Sequence, residues 1–176
     1  MKSLYTVLIA MVAVVVFAGA AVADPGTPWD KQINNTGRFK VLSQFGGAAV
    51  LDKETGRVWE QSPDTDTRNW VDALTHCYQR VVGRRKGWRL PTIEELASLV
   101  EPGNPPGGPD LPLGHPFDDV QSSFYWSATT NPGNTVVTGV AWGVSLGSGN
   151  VVNVDKSSDD EHVWCVRGGQ GIDGVQ

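Results

Sequence analysis

Five basic residues crowd into ten positions of this chain: Arg80, Arg84, Arg85, Lys86 and Arg89. In a protein with 14 Lys and Arg against 19 Asp and Glu, such a cluster reads as an anion site at the surface. The run Arg84-Arg85-Lys86, followed after Gly87 and Trp88 by Arg89, has the spacing of heparin-binding segments. Arg80, Arg84, Arg85 and Lys86 are therefore the candidate anion-binding residues. Exposed cations facing sulfate or phosphate give an affinity that falls steeply with salt, because screening shortens their reach. Two plainer accounts compete. Cations at the end of a helix closing near Arg80 favour its dipole, and Arg89 has a structural use in pairing with a carboxylate or carbonyl.

Other residue types narrow the chemistry. Trp88, Trp126 and Trp142 carry indole faces that could stack on sugar rings, although core packing is the preferred account of all three. His76, His115 and His162 are the only histidines, and no H-x-x-x-H pair joins them, so neither a zinc site nor a Ser–His–Asp triad is predicted. His76, one position before Cys77, is read as a surface residue. Gly147-Ser148-Gly149 is a turn and not a nucleophile elbow. Asp118 with Asp119, and Asp155 with Asp159, Asp160 and Glu161, gather oxygen donors without the spacing of a calcium loop, so solvated loops are expected there. No catalytic residue, metal or cofactor is predicted, and the chain reads as a binding module rather than an enzyme.

These groups must be carried by an exported domain. Lys2, the uncharged run Leu4 to Ala18 and the small-x-small site Ala21-Val22-Ala23 make residues 1–23 a signal peptide rather than a retained anchor. Its removal takes away one basic residue and leaves 13 against 19 acidic ones, which argues against general binding to nucleic acid. A periplasmic or secreted product without membrane insertion is expected. Cys77 and Cys165, 88 residues apart, are the only cysteines, and in an oxidising space they are expected to pair.

Residues 24–37 are turn-rich and read as a loose arm, 38–170 as one domain, and 171–176 as a tail. Strands are predicted at Arg38 to Gln44, Ala48 to Asp52 and Arg57 to Glu60, with a hairpin turn at Lys53-Glu54-Thr55-Gly56. From Trp70 the apolar residues Ala73, Leu74, Cys77 and Val81 line one face of a helix. Pro91 and Thr92-Ile93-Glu94-Glu95 announce a second helix capped by Thr92, with Ile93, Leu96, Ala97 and Val100 buried. A long irregular loop follows from Glu101 to about Ser123. Antiparallel strands are then predicted at Phe124 to Thr129, Gly139 to Leu146, Asn150 to Lys156 and His162 to Arg167. The fold class is α+β, with two helices and one long-range disulfide.

The stretch Val50-Leu51-Asp52-Lys53-Glu54-Thr55-Gly56-Arg57-Val58-Trp59 is followed by Gly87-Trp88-Arg89-Leu90-Pro91-Thr92, Tyr125-Trp126-Ser127-Ala128-Thr129, Ala141-Trp142 and Cys165-Val166-Arg167-Gly168-Gly169. In that order they resemble the Lcl C-terminal domain family, DUF1566, over nearly all of the chain after the leader. The resemblance implies a C-type-lectin-like fold in which a disulfide joins the first helix to the final strand, as Cys77 and Cys165 would. It also implies a bacterial protein outside the cytoplasm. In the family's collagen-like adhesin the related domain binds sulfated glycosaminoglycans, so a sulfated or other anionic polysaccharide is the implied partner and adhesion the implied role. No Gly-x-y repeat occurs here, and the adhesin's trimeric state is not carried over. Sugar-binding C-type lectins hold calcium with an acidic-Pro-Asn segment, which Glu101-Pro102-Gly103-Asn104 matches only in part. A structural or assembly role in the envelope stays open as an alternative. A formylglycine-generating-enzyme-like oxidase needs a cysteine pair that a long-range disulfide would consume.

Overall fold

Lys53-Glu54-Thr55-Gly56 turns the chain back on itself, and the carboxylate of Asp52 fixes that turn. Asp52 accepts the Glu54 N–H at 3.0 Å and the Thr55 hydroxyl at 2.9 Å, while the Gly56 N–H donates to the Asp52 carbonyl at 2.8 Å. The computed structural model describes residues 35–101, 108–132 and 139–168, all within the compact unit Ile33–Gln176. The expected leader 1–23, the expected arm as far as 34, the partial calcium match at 102–104 and the expected tail 171–176 lie outside the described residues.

Three strands, β1 (Phe39–Val41), β2 (Ala49–Asp52) and β3 (Arg57–Glu60), form the expected antiparallel meander. Ahead of them residues 35–37, expected as the end of an arm, join Arg38 in one helical turn, α1 (Asn35–Arg38). Burial of Arg38 explains this order. Its guanidinium donates twice to Asp52, at 3.0 and 2.8 Å, and once to the Ser98 carbonyl at 2.8 Å.

The remaining elements are β4 (Asp64–Arg68), α2 (Trp70–Gln79), β5 (Trp88–Arg89), α3 (Ile93–Ala97), β6 (Phe124–Thr130), β7 (Val140–Ser145), β8 (Val151–Asp155), β9 (Glu161–Val163) and β10 (Val166–Arg167). They complete two five-stranded sheets, ordered β1-β2-β3-β10-β5 and β4-β9-β6-β7-β8. Pairing is antiparallel except between β6 and β9, which run parallel and correct the expectation of a wholly antiparallel second half. The strand expected over His162 to Arg167 is also divided. At the break the Trp164 indole N–H donates to the Glu60 carbonyl at 2.9 Å, and the Cys165 N–H to the Glu60 carboxylate at 3.0 Å. Those bonds replace a ladder, so the chain leaves one sheet at Val163 and enters the other at Val166.

Apolar residues adjacent in sequence serve opposite cores. Ala49, Val58, Trp126 and Cys165 belong to a cluster with Ala73 and Cys77 of α2, whereas Val50, Trp59, Tyr125, Trp164 and Val166 pack with Leu96 beside α3. Strands covered on both faces read as continuous apolar runs, as they do here.

Both α2 and α3 begin at a side-chain cap, and that of α3 is the expected Thr92. Asn69 accepts the Asp72 N–H at 3.0 Å ahead of α2, and Thr92 with Glu95 forms both bonds of a capping box ahead of α3, at 3.3 and 2.9 Å. However, α2 stops at Gln79, short of Val81. Arg80 is already extended, with ψ 139°, so Val81 turns outward and Val82 takes the buried place. Cys77 and Cys165 are bonded, with Cα atoms 5.4 Å apart, tying α2 to the junction between the sheets. No helix among the described residues is long and apolar enough to cross a membrane.

Candidate functional site: a basic turn over Phe45

Directly after α2 the chain makes a two-residue hairpin. The Val82 N–H donates to the Arg85 carbonyl at 3.1 Å and the Arg85 N–H to the Val82 carbonyl at 2.9 Å, while Gly83 and Arg84 have φ of 55° and 64°. Positive φ at both central positions matches the twist of paired strands and favours glycine or short polar residues. Glycine is needed at 83 for a second reason: a Cβ there would lie 2.5 Å from the Phe45 Cα and carbonyl oxygen. Arg84, at the apex, holds a backbone conformation that L side chains seldom adopt.

Three further contacts pin the turn from beneath. Trp88 donates its indole N–H to the Arg85 carbonyl at 3.0 Å, Arg167 donates from Nε to the Lys86 carbonyl at 2.8 Å, and the Arg85 guanidinium carbon sits 4.9 Å from the Phe45 ring centre. Phe45, at the end of a 3-10 turn over Ser43–Phe45, is buried and meets Trp88 edge to face at 6.2 Å. Arg84, Arg85 and Lys86 all remain exposed, and none forms an ion pair with a described carboxylate.

The rest of the basic cluster is used internally. Arg80 was expected among the anion-binding residues, but its Nε donates to the carboxylate of Glu60, a side chain only 1 % exposed. Leaving that carboxylate unpaired inside the protein would be costly, so Arg80 is a structural partner. Burial pushes the Glu60 carboxyl above its ordinary value, although Arg80 and the Cys165 N–H oppose this. Arg89 likewise grips Glu95 with both terminal nitrogens at 2.7 Å and donates to the Gly168 carbonyl at 3.0 Å.

Core packing, the preferred account, describes Trp88 and Trp126, and the three indoles do not share one face. Trp88 is 2 % exposed and Trp126 fully buried, with its indole N–H donating to the Arg68 carbonyl at 2.7 Å, so neither ring presents a face to a sugar. Trp142 is partly exposed but lies on β7 of the second sheet, whereas the turn leads into β5 of the first. One aromatic side chain of α2 is well exposed: Tyr78, 81 % exposed near the end of the helix. Its position one residue after the inward-facing Cys77 was the available signal. Arg167 also belongs to this surface. It comes from 81 residues downstream of Lys86 through the pairing of β10 with β5, in a register that sequence spacing does not reveal.

Histidines and acidic clusters lie elsewhere. His76 is half-buried rather than on the surface, with Nε2 3.8 Å from Asp64. Burial, together with Arg68 and Arg80, holds its pKa below the ordinary value against the pull of Asp64. Asp155 uses one oxygen to accept the Ser157 N–H at 2.8 Å, the Ser157 hydroxyl at 2.7 Å and the Ser158 N–H at 3.2 Å. Among the described residues no group of His, Cys, Asp and Glu is placed to hold a metal ion.

Residues 48–167 match a family model described as the Lcl C-terminal domain, which covers more than half of the chain. The chain belongs to the Lcl C-terminal domain family. No curated protein gave a match. In this Lcl C-terminal domain the matched region contains the basic turn, both cysteines and Arg167, and begins just after Phe45, on which the turn rests.

Proposed function

We propose that this protein is an exported, non-enzymatic binding module that takes up a polyanion, of the sulfated polysaccharide class, through Arg84, Arg85 and Lys86. One observation carries the reading. Three exposed cations sit on a turn pinned at Gly83, Arg85 and Lys86, and no described carboxylate neutralises them. A rigid mount lowers the ordering cost of binding, and in an acidic protein a local positive field attracts an anionic chain. The disulfide from α2 to the β9–β10 junction supports a C-type-lectin-like arrangement, and the leader supports a periplasmic or secreted location. Recognition in adhesion is the role that fits these features.

Retention on immobilised heparin at low and moderate salt tests the proposal. Wild type should be retained, and should elute earlier as salt rises. The variant Arg84→Ala/Arg85→Ala/Lys86→Ala should pass through at low salt while keeping its fold. Equal elution of a correctly folded triple variant would remove this turn as the site. Silence of the wild type on every charged polymer would favour a structural or assembly role in the envelope.

A further inference from the structure

The outer face of α2 is apolar where a surface helix is ordinarily charged. Val71, Thr75 and Tyr78 recur at i, i+4 and i+7 and so share one face, with Val71 60 % and Tyr78 81 % exposed. Thr75, exposed between them, donates its hydroxyl to the Val71 carbonyl at 3.0 Å, so its polar atom is used by the helix itself. Among Asp, Glu, Lys and Arg, α2 carries only Asp72.

Charge is sorted to the two ends of this stripe. Asp66, whose side chain is 80 % exposed, precedes the helix, and the exposed Asp72 lies in its first turn. Arg84, Arg85 and Lys86, all exposed, follow its end at Gln79. A patch that is apolar at its centre, acidic at one end and basic at the other is complementary to itself under a two-fold axis.

We propose that this face joins two copies of the chain, packed α2 against α2 in antiparallel about a two-fold axis at Thr75. Antiparallel packing sets the acidic entry of each helix against the basic exit of the other and opposes the two helix dipoles. Parallel packing would bring like charges together at both ends. At the axis a small residue meets its own copy, which lets the helices approach, and Val71 lies against the partner's Tyr78. The helix has ten residues and is about 15 Å long, so the interface is small and the association weak and reversible. This inference goes beyond the polyanion reading and does not rest on it. The same exposed cations meet the carboxylates of a second copy when no polyanion occupies them.

The test is sedimentation velocity on the disulfide-closed protein, without heparin, from about 5 to about 500 µM, the range in which weak interfaces associate. A monomer–dimer equilibrium that weakens as salt rises is expected. Val71→Ser/Tyr78→Ser should weaken it about tenfold or more while keeping the melting temperature, since both side chains are exposed. Cysteine variants read the geometry. The native cysteines are bonded to each other, so an introduced thiol is the only free one. Under mild oxidation Thr75→Cys should give a disulfide-linked dimer. Val71→Cys should not, because antiparallel packing leaves the two copies of position 71 about 12 Å apart along the helix, beyond disulfide reach. A monomer at every concentration, a serine double variant that associates like wild type, or Val71→Cys linking as readily as Thr75→Cys overturns the proposal. A protein that stays monomeric yet is retained on heparin leaves the polyanion reading standing and the dimer fallen; a dimer that heparin does not retain does the reverse.

Discussion

Replacing Glu95 with Gln should cost about 2–3 kcal/mol at neutral pH, and the cost should vanish in acid. Glu95 is the acceptor for four N–H groups: both terminal nitrogens of Arg89 at 2.7 Å, the Thr92 amide at 2.9 Å and the Nε of Arg57. Its side chain is 11 % exposed. Burial alone would raise its pKa, but the bonds from Arg89, Thr92 and Arg57 prevail and bring it from 4.5 to about 2. The unfolded chain therefore takes up the proton first, and stability present above pH 4.5 is lost as the pH falls toward 2. A shift of that size corresponds to about 3 kcal/mol, which we reduce to about 2–3 because the Arg89 side chain is 42 % exposed and water screens it. Gln keeps the shape and an acceptor oxygen but leaves Arg57 and Arg89 without their counter-charge. Urea denaturation followed by tryptophan fluorescence, with the disulfide intact, should show the gap between wild type and Glu95→Gln at pH 7 and its closure near pH 2. A gap that is constant with pH would mean that shape and not charge sets the cost. No gap at pH 7 would refute the reasoning outright.

Two further variants probe the frame around the turn. Cys77→Ser/Cys165→Ser opens a closure of 88 residues and should lower stability by about 4 kcal/mol; an unchanged urea midpoint would show that the bond contributes little. Gly83→Ala should cost about 1–3 kcal/mol, because its φ of 55° strains an L residue and its Cβ meets Phe45, whereas Gly46→Ala, with open space around it, should cost less. Equal melting temperatures for the two alanine variants would mean that the turn does not press on Phe45.

Elements were legible where local chemistry decides them. Thr92 with Glu95, the Lys53–Gly56 turn and the inward Cys77 each follow from residues within a few positions of one another. Features set by distant partners were not. β4, the sequence Asp-Thr-Asp-Thr-Arg, has no apolar alternation and becomes a strand only because β9 pairs with it. The end of α2 was overestimated because Val81 continued the apolar spacing, while the structure places Arg80 extended against Glu60. For the site, the basic cluster was visible as composition and the structural use of Arg89 was expected, but the pairing of Arg80 was not. Glu60 and Glu95 make these pairs, and both become neighbours of the cluster only through the fold.

The same ten positions thus hold two populations of cation with different tasks. Arg80 and Arg89 face carboxylates whose side chains are 1 % and 11 % exposed, so their charge is spent inside the molecule, where an unpaired partner would be costly. Arg84, Arg85 and Lys86 stand on a turn whose carbonyls are held by Trp88 and Arg167, and Arg85 also lays its guanidinium near the Phe45 ring. Backbone anchoring leaves the side-chain charges available while keeping their origins fixed. Removing the exposed charges should therefore act on affinity with little effect on stability, and removing the paired ones should do the reverse. That separation follows from where the bonds are made, and it ties the stability of this fold to the surface it presents.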